Sequence, residues 1–276
     1  MKKAPGPELT LPEILADFAA HGSPDGVAGM ARFGIVTAQA FGVSTGDVRR
    51  LAKRIGKNHR LAVALWKQGS FEARALAFMI EDPRTLTAAQ MDRWTAQFDN
   101  WATCDGCCLH LFVATPFAVA KALQYAADDR EFVKRAGLTL IACLAVHDKA
   151  GTSPWGEFLT VIRRESSDPR NYVKKAANWA LRQIGKRDLE LNRQALTVAE
   201  ELAQADNAPA RWIGKDAVRE LRSEAVQERL AAKAAGLRNA ALVGPPSHSS
   251  EALRAKSGDP AERAGGSGLS ECRRRF

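Results

Sequence analysis

The sequence predicts an all-α protein, a solenoid of stacked antiparallel helix pairs, and three observations predict it. Apolar residues recur at helical spacing in segment after segment, strand-like alternation is nearly absent, and one short pattern returns at a spacing of forty residues. With 276 residues and 46% hydrophobic side chains the chain has ample apolar material for a core.

Taken in order, the apolar spacing places helices over Leu11 to Ala20, Val48 to Ile55, Leu61 to Trp66, Phe71 to Ile80 and Phe132 to Ala145. The stretches between them carry residues that stop or start helices: HGSPDG at 21–26, EDPRT at 81–85, ESSDPRN at 165–171 and ADNAP at 205–209. Proline lacks the amide hydrogen that a helix interior needs, and Ser, Asp and Asn accept the unpaired amides of a first turn, so short helices joined by tight turns are expected.

The repeat refines this. Phe132-Val133-Lys134-Arg135-Ala136 matches Tyr172-Val173-Lys174-Lys175-Ala176 at an offset of 172 − 132 = 40, and Trp212-Ile213-Gly214-Lys215 follows after another 40. Phe71-Glu72-Ala73-Arg74-Ala75 has the same grammar, but its offset of 61 demands an insertion or an extra helix. A period near forty with two helices per unit is that of HEAT-type solenoids. Stacking in register would place Arg74, Arg135, Lys175 and Lys215 on successive helices as a basic stripe along one surface. Taken singly, each is better read as an ordinary solvated or snorkelling helix residue; their shared position in the repeat is what favours the stripe.

Lysine and arginine exceed acids by 40 − 31 = 9. That excess suits a polyanionic partner: RNA, DNA or an anionic membrane surface. Pro5, Gly6 and Pro7 stand where a secretory signal would have its apolar run, and no stretch approaches bilayer-spanning length, so a cytoplasmic, nucleoid-associated location is expected. There the five cysteines would stay reduced. Residues 1–236 are expected to form the folded domain, and 237–276, rich in Gly, Ser, Pro and Ala, a disordered basic tail ending in Arg273-Arg274-Arg275.

The segment DNWATCDGCCLH at 99–110 holds three cysteines and a histidine. A second pair of zinc ligands is missing, His110 points away from Cys104 and Cys108 on a helix, and a Cys-x-x-Cys redox site needs a strand-to-helix setting this chain does not offer. No metal or cofactor is expected, and Cys104, Cys107 and Cys108 fit small apolar filler between close helices. Trp101 and Asp105, four residues apart, project from one side of a helix and set a carboxylate beside an indole. Asp105 as a helix cap, or Trp101 as core, are the alternatives.

In order and spacing, several segments resemble the DNA alkylation repair family of HEAT-like DNA glycosylases over about residues 10–230. They are Met30-Ala31-Arg32-Phe33, Gly42-Val43-Ser44 leading to Val48-Arg49-Arg50-Leu51, Leu65-Trp66 with Phe71 to Ala75, Trp101-x3-Asp105, Phe132 to Ala136, and Tyr172 to Ala176 running into Trp179-Ala180-Leu181-Arg182. The resemblance implies Asp105 as catalytic carboxylate, Trp101 and Trp179 flanking the sugar of the damaged nucleotide, and Arg135 on the backbone beside the lesion. With the stripe, it makes Arg74, Arg135, Lys174, Lys175, Arg182 and Lys215 the expected DNA-binding set. The chain departs from the family pattern at Phe33, where tyrosine is familiar, and at Asn100, which replaces a second tryptophan.

The chemistry that the resemblance implies is hydrolysis of the glycosidic bond of purines alkylated at N3 or N7. The positively charged base leaves without a general acid, and a carboxylate stabilises the cationic sugar and orients water. The expected partner is duplex DNA containing alkylated bases, bound by a monomer. Two alternatives stand beside this: a solenoid that binds branched or distorted DNA without excision, and a protein-binding HEAT scaffold.

Overall fold

The computed structural model describes residues 9–243, with side-chain environments to residue 236. These residues form fourteen α-helices and no strand. They are α1 (Leu11–His21), α2 (Pro24–Arg32), α3 (Thr45–Ile55), α4 (His59–Gln68), α5 (Phe71–Ile80), α6 (Ala88–Thr95) and α7 (Trp101–His110). A short 3-10 turn (Phe112–Ala114) precedes α8 (Ala118–Ala126), α9 (Glu131–His147), α10 (Trp155–Glu165), α11 (Asn171–Gly185), α12 (Leu189–Ala203), α13 (Ala208–Leu221) and α14 (Glu224–Val243).

The helices pack as the repeat requires. Helices α5, α7, α9, α11 and α13 lie against one another in that order as one row, and α8, α10 and α12 form a second row on which α9, α11 and α13 pack. The 61-residue gap in the repeat contains a further member of the first row, α7. Phe71 opens α5, Trp101 opens α7 and Phe132 is the second residue of α9, so two short steps of 101 − 71 = 30 and 132 − 101 = 31 precede the regular ones. Each row helix thereby carries an aromatic residue near its start: Phe71, Trp101, Phe132, Tyr172 and Trp212.

Local chemistry sets the helix starts. Ser23 caps α2 with Pro24 behind it, and Asn207 caps α13 by accepting from Ala210 N at 2.8 Å. The two long row helices share another device. Asp128 accepts from Arg130 N and its guanidinium, both at 2.9 Å, and Asp168 accepts from Arg170 N at 3.0 Å and from its guanidinium. Forty residues apart, each pair fixes the turn before α9 or α11, and the paired arginine holds the Asp168 carboxyl below its ordinary range.

Two glycines let the rows close up. A Cβ on Gly137 of α9 would lie 2.2 Å from Ala126 N of α8, and one on Gly214 of α13 would lie 2.2 Å from Ala203 N of α12. Both places need backbone-to-backbone approach that any side chain forbids. At its far end the domain differs from expectation, because α14 continues helically through 237–243, past the boundary at which composition changes. The remainder of the expected tail lies outside the described residues. No described helix is long and apolar enough to cross a membrane.

Gly137→Ala should destabilise the protein by about 1–3 kcal/mol through overpacking. Gly236→Ala, exposed on α14 with nothing within 4 Å of the added methyl, should be neutral or stabilising by about 0.5–1 kcal/mol. Chemical denaturation of the two variants measures the difference, which is absent if the rows do not meet at Gly137.

Candidate functional site

The row helices α7, α9, α11 and α13 and the loop after α2 surround a cavity of about 550 Å³. Phe33 and Gly34 form its outer wall, Trp101, Arg135 and Tyr172 its base, and α11 and α13 its far side through Lys175, Asn178, Arg182, Trp212 and Asp216. The helical repeat explains the far side: positions 171, 175, 178 and 182 recur at three- and four-residue spacing and so form one line along α11.

Aromatic side chains hold the wall in place. Trp101 Nε1 donates to the carbonyl of Phe33 at 3.0 Å, and the Tyr172 hydroxyl donates to the carbonyl of Gly34 at 3.1 Å. Phe33 keeps its ring in solvent, 75% exposed. On the opposite side Trp212 is 41% exposed, with the Lys174 ammonium 4.9 Å from its ring centroid. Tyr172 also packs on Phe132, ring centroids 5.2 Å apart, which brings together two of the repeat's matched aromatics.

Beneath the base lies Asp105, 0% exposed. Arg135 grips it with two hydrogen bonds, Nε to Oδ1 at 2.8 Å and Nη2 to Oδ2 at 2.6 Å, while the Thr139 hydroxyl donates to Oδ1 at 3.1 Å. The remaining guanidinium nitrogen, Nη1, donates to the carbonyl of Tyr172 at 2.7 Å. Burial alone would make Arg135 easier to deprotonate; the adjoining carboxylate outweighs this and raises its pKa, so the guanidinium stays charged.

This arrangement changes several sequence expectations. Trp101 lines the cavity as anticipated, but Asp105 sits one turn deeper, under Arg135 rather than open beside the indole. Arg135, 2% exposed, is committed to Asp105 and α11 instead of projecting as a backbone contact, although it reaches the cavity floor. Trp179, 2% exposed, is core and does not line the cavity: it is one residue beyond Asn178, about 100° round the helix from the cavity-facing line. With the Gln183 amide turned to accept, Trp179 Nε1 donates to it at 3.1 Å. Asn100 caps α7, its Oδ1 accepting from Thr103 N at 2.9 Å, so the helix start needs no help from Asp105.

The expected basic stripe divides. Arg74 is half-buried, bonded to the Gln97 carbonyl at 3.1 Å, paired with Asp99 at 3.4 Å and lying over Trp66. Arg182 pairs with Glu220 and, at 3.8 Å, with Asp216. Lys175 and Lys215 are exposed, and Lys174 is half-buried against Trp212. The cysteines pack between row helices, with Cys104 Sγ 3.5 Å from the Phe132 carbonyl and Cys108 Sγ 3.6 Å from that of Ala136. Burial pushes the Cys107 and Cys108 thiols well up. Sequence reasoning did not assign Phe33, Tyr172 or Trp212 to the site, although the repeated aromatic position marked two of them.

A row of repeat helices presenting an aromatic and basic cleft defines an α-solenoid with a site suited to an anionic, ring-bearing polymer. The family model described as DNA alkylation repair enzyme matches residues 14–221, and the chain belongs to that family. Among solved structures it is similar, with a TM-score of 0.65 at 20% identity, to a protein described as one of a new family related to the HEAT-like repeat DNA glycosylases with affinity for branched DNA structures. The similarity covers 77% of this chain and 95% of that one, which makes the fold HEAT-like. Two curated relatives are the uncharacterized proteins Lin0241 of Listeria innocua and Lmo0209 of Listeria monocytogenes, each 26% identical over 97 residues. That match covers 34% of this chain and 38% of either relative, so the chain matches well under half the length of each.

Removing one partner of the buried ion pair leaves the other uncompensated. Asp105→Asn should therefore cost about 3–5 kcal/mol of stability, and the double variant Asp105→Asn/Arg135→Met should recover most of it. A double-mutant cycle by denaturant unfolding checks this; additive losses would contradict the pairing.

Proposed function

We propose that this protein grips DNA in the cleft and hydrolyses the glycosidic bond of purines made cationic by alkylation at N3 or N7. The observation that carries the reading is the position of Asp105, a carboxylate directly beneath Arg135 and one helical turn from Trp101 at the base of a basic, aromatic cavity. The family assignment supports DNA repair as the setting.

The geometry adds a condition. In the DNA-free chain, Asp105 is compensated on both oxygens and offers little to a developing cation. A DNA phosphate entering at the cavity floor can take over the guanidinium as an equivalent anion, and Asp105 then faces the sugar with its charge available. At ~4 Å and an effective dielectric of ~20, that attraction is worth roughly 4 kcal/mol before desolvation, or about three decades of rate. Trp101 adds a ring face that favours positive charge by about 0.5–2 kcal/mol. Lys175 and Lys215 supply phosphate contacts around it.

A second reading, binding of branched or distorted DNA without excision, is favoured by the same closed ion pair and by the affinity for branched DNA ascribed to the structural neighbour. Release of 7-methylguanine and 3-methyladenine from methylated duplex separates the two. On the first reading the wild type releases base, while the Asp105→Asn/Arg135→Met variant binds DNA and releases none. Wild-type binding with a steep salt dependence but no base release selects the second. Equal release by wild type and double variant removes Asp105 from the chemistry.

A further inference from the structure

The cleft offers more bare ring surface than a grip on paired duplex uses. Phe33 and Trp212 stand exposed on opposite walls, whereas Trp66, Trp94 and Phe78 are buried. Between the walls, Trp101 and Tyr172 have given their polar hydrogens to the carbonyls of Phe33 and Gly34, so what they turn to the cavity is ring. Lys174, which does not line the cavity, lies over the Trp212 indole, and Trp212 itself is 41% exposed on the cavity wall.

The polar groups of the cavity fit the same kind of guest. Lys175 is exposed at the rim and pairs with no carboxylate among the described residues, and Lys215 follows it one repeat on. Asn178, buried on the cavity wall, donates Nδ2 to Asp216 Oδ2 at 2.7 Å, which fixes the orientation of the amide. Its Oδ1 is buried and has no hydrogen-bond partner, a polar atom beside the cavity that the free chain leaves unsatisfied.

Bases inside a closed duplex are stacked on one another and present only their edges outward. A ring face can hold a base only after that base has left the stack, and aromatic platforms beside a positively charged track are how proteins take up unpaired nucleotides. We infer that this cleft stacks an unpaired nucleobase between Phe33 and Trp212, so that the DNA element recognised is an interruption in pairing. The inference rests on the DNA-binding reading above and deepens it. It holds whether or not excision follows, since an unpaired base at a branch or bulge presents its ring face in either case.

The test uses the full chain and one duplex sequence carrying 2-aminopurine either as a single-nucleotide bulge or in a base pair. The bulge should bind about ten-fold tighter or more, and its fluorescence should fall on binding as the base stacks on an aromatic ring. Phe33→Ala and Trp212→Ala, both at exposed positions with helical content checked by circular dichroism, should each remove most of that preference. Lys175→Ala should instead weaken both DNAs alike and lower the salt slope by about one. Equal binding of bulged and paired DNA, or a preference that survives both aromatic substitutions, overturns the stacking inference while leaving DNA binding in place. Failure to bind either DNA removes the DNA-binding reading itself, and the inference with it.

Discussion

The pairing of Arg135 with Asp105 is the constraint on which the cleft depends, because one guanidinium bonds three successive helices of the row. Two of its nitrogens hold Asp105 of α7, its own backbone belongs to α9, and the third nitrogen holds the first turn of α11 through the Tyr172 carbonyl. Apolar packing of alanines, leucines and cysteines along these helices is strong but weakly directional, and would tolerate sliding. A forked guanidinium matched to a carboxylate has one good geometry. It therefore fixes the register of α7, α9 and α11, and with it the positions of Trp101 and Tyr172 on the cavity floor.

Neighbouring units are joined by the same kind of contact. Lys134 reaches Glu165 of α10, Lys121 and the Tyr125 hydroxyl hold Asp92 of α6 at 2.6 and 2.7 Å, and Arg182 of α11 and Lys186 just after it pair with Glu220 of α13. Burial works against ionising Glu220, but the two cations outweigh it and lower its pKa. Each such pair costs desolvation and contributes orientation more than net stability. Much of the basic residue count is thus used between helices. The exposed positive charge left along the row comes from a smaller set, which includes Lys175 on the cavity wall and Lys215 one repeat on.

The solenoid was legible in the sequence because a repeated unit writes the same packing several times. The 40-residue offset marked α9, α11 and α13, and the break residues at 21–26 and 205–209 became caps at Ser23 and Asn207. Side-chain direction was less legible. Position four after Trp101 does put Asp105 on the same face, yet the first residue of a helix stands at the rim while the fifth lies a turn inside, and a partner 30 residues away decides what covers it. Trp179 fails as a cavity residue by a single step along α11, a distinction that a motif match cannot register. The exposed aromatics, noted as a departure from the family pattern at Phe33 and as a repeat position at Trp212, were not placed at the site: Phe33 stands in a loop without periodicity, so nothing in the spacing tells where its ring points.

That loop is held by backbone contacts, which explains how Phe33 can be spared for a ligand. Glu72, the second residue of α5 and buried, accepts from the amides of Phe41, Gly42 and Val43 at 3.0, 2.7 and 3.2 Å, and Gln39 O accepts from Phe71 N at 2.9 Å. Three amides converging on one carboxylate anchor the far end of the loop, while Trp101 and Tyr172 anchor the near end through carbonyls. Gly42, at φ 77° and with its Cα against α2, permits the sharp return between them. Every one of these contacts uses main-chain atoms of the loop. The side chain of Phe33 therefore carries no structural duty, and its exposure beside a cavity floored by Trp101 and Tyr172 is a property the fold maintains through α5, α7 and α11 together.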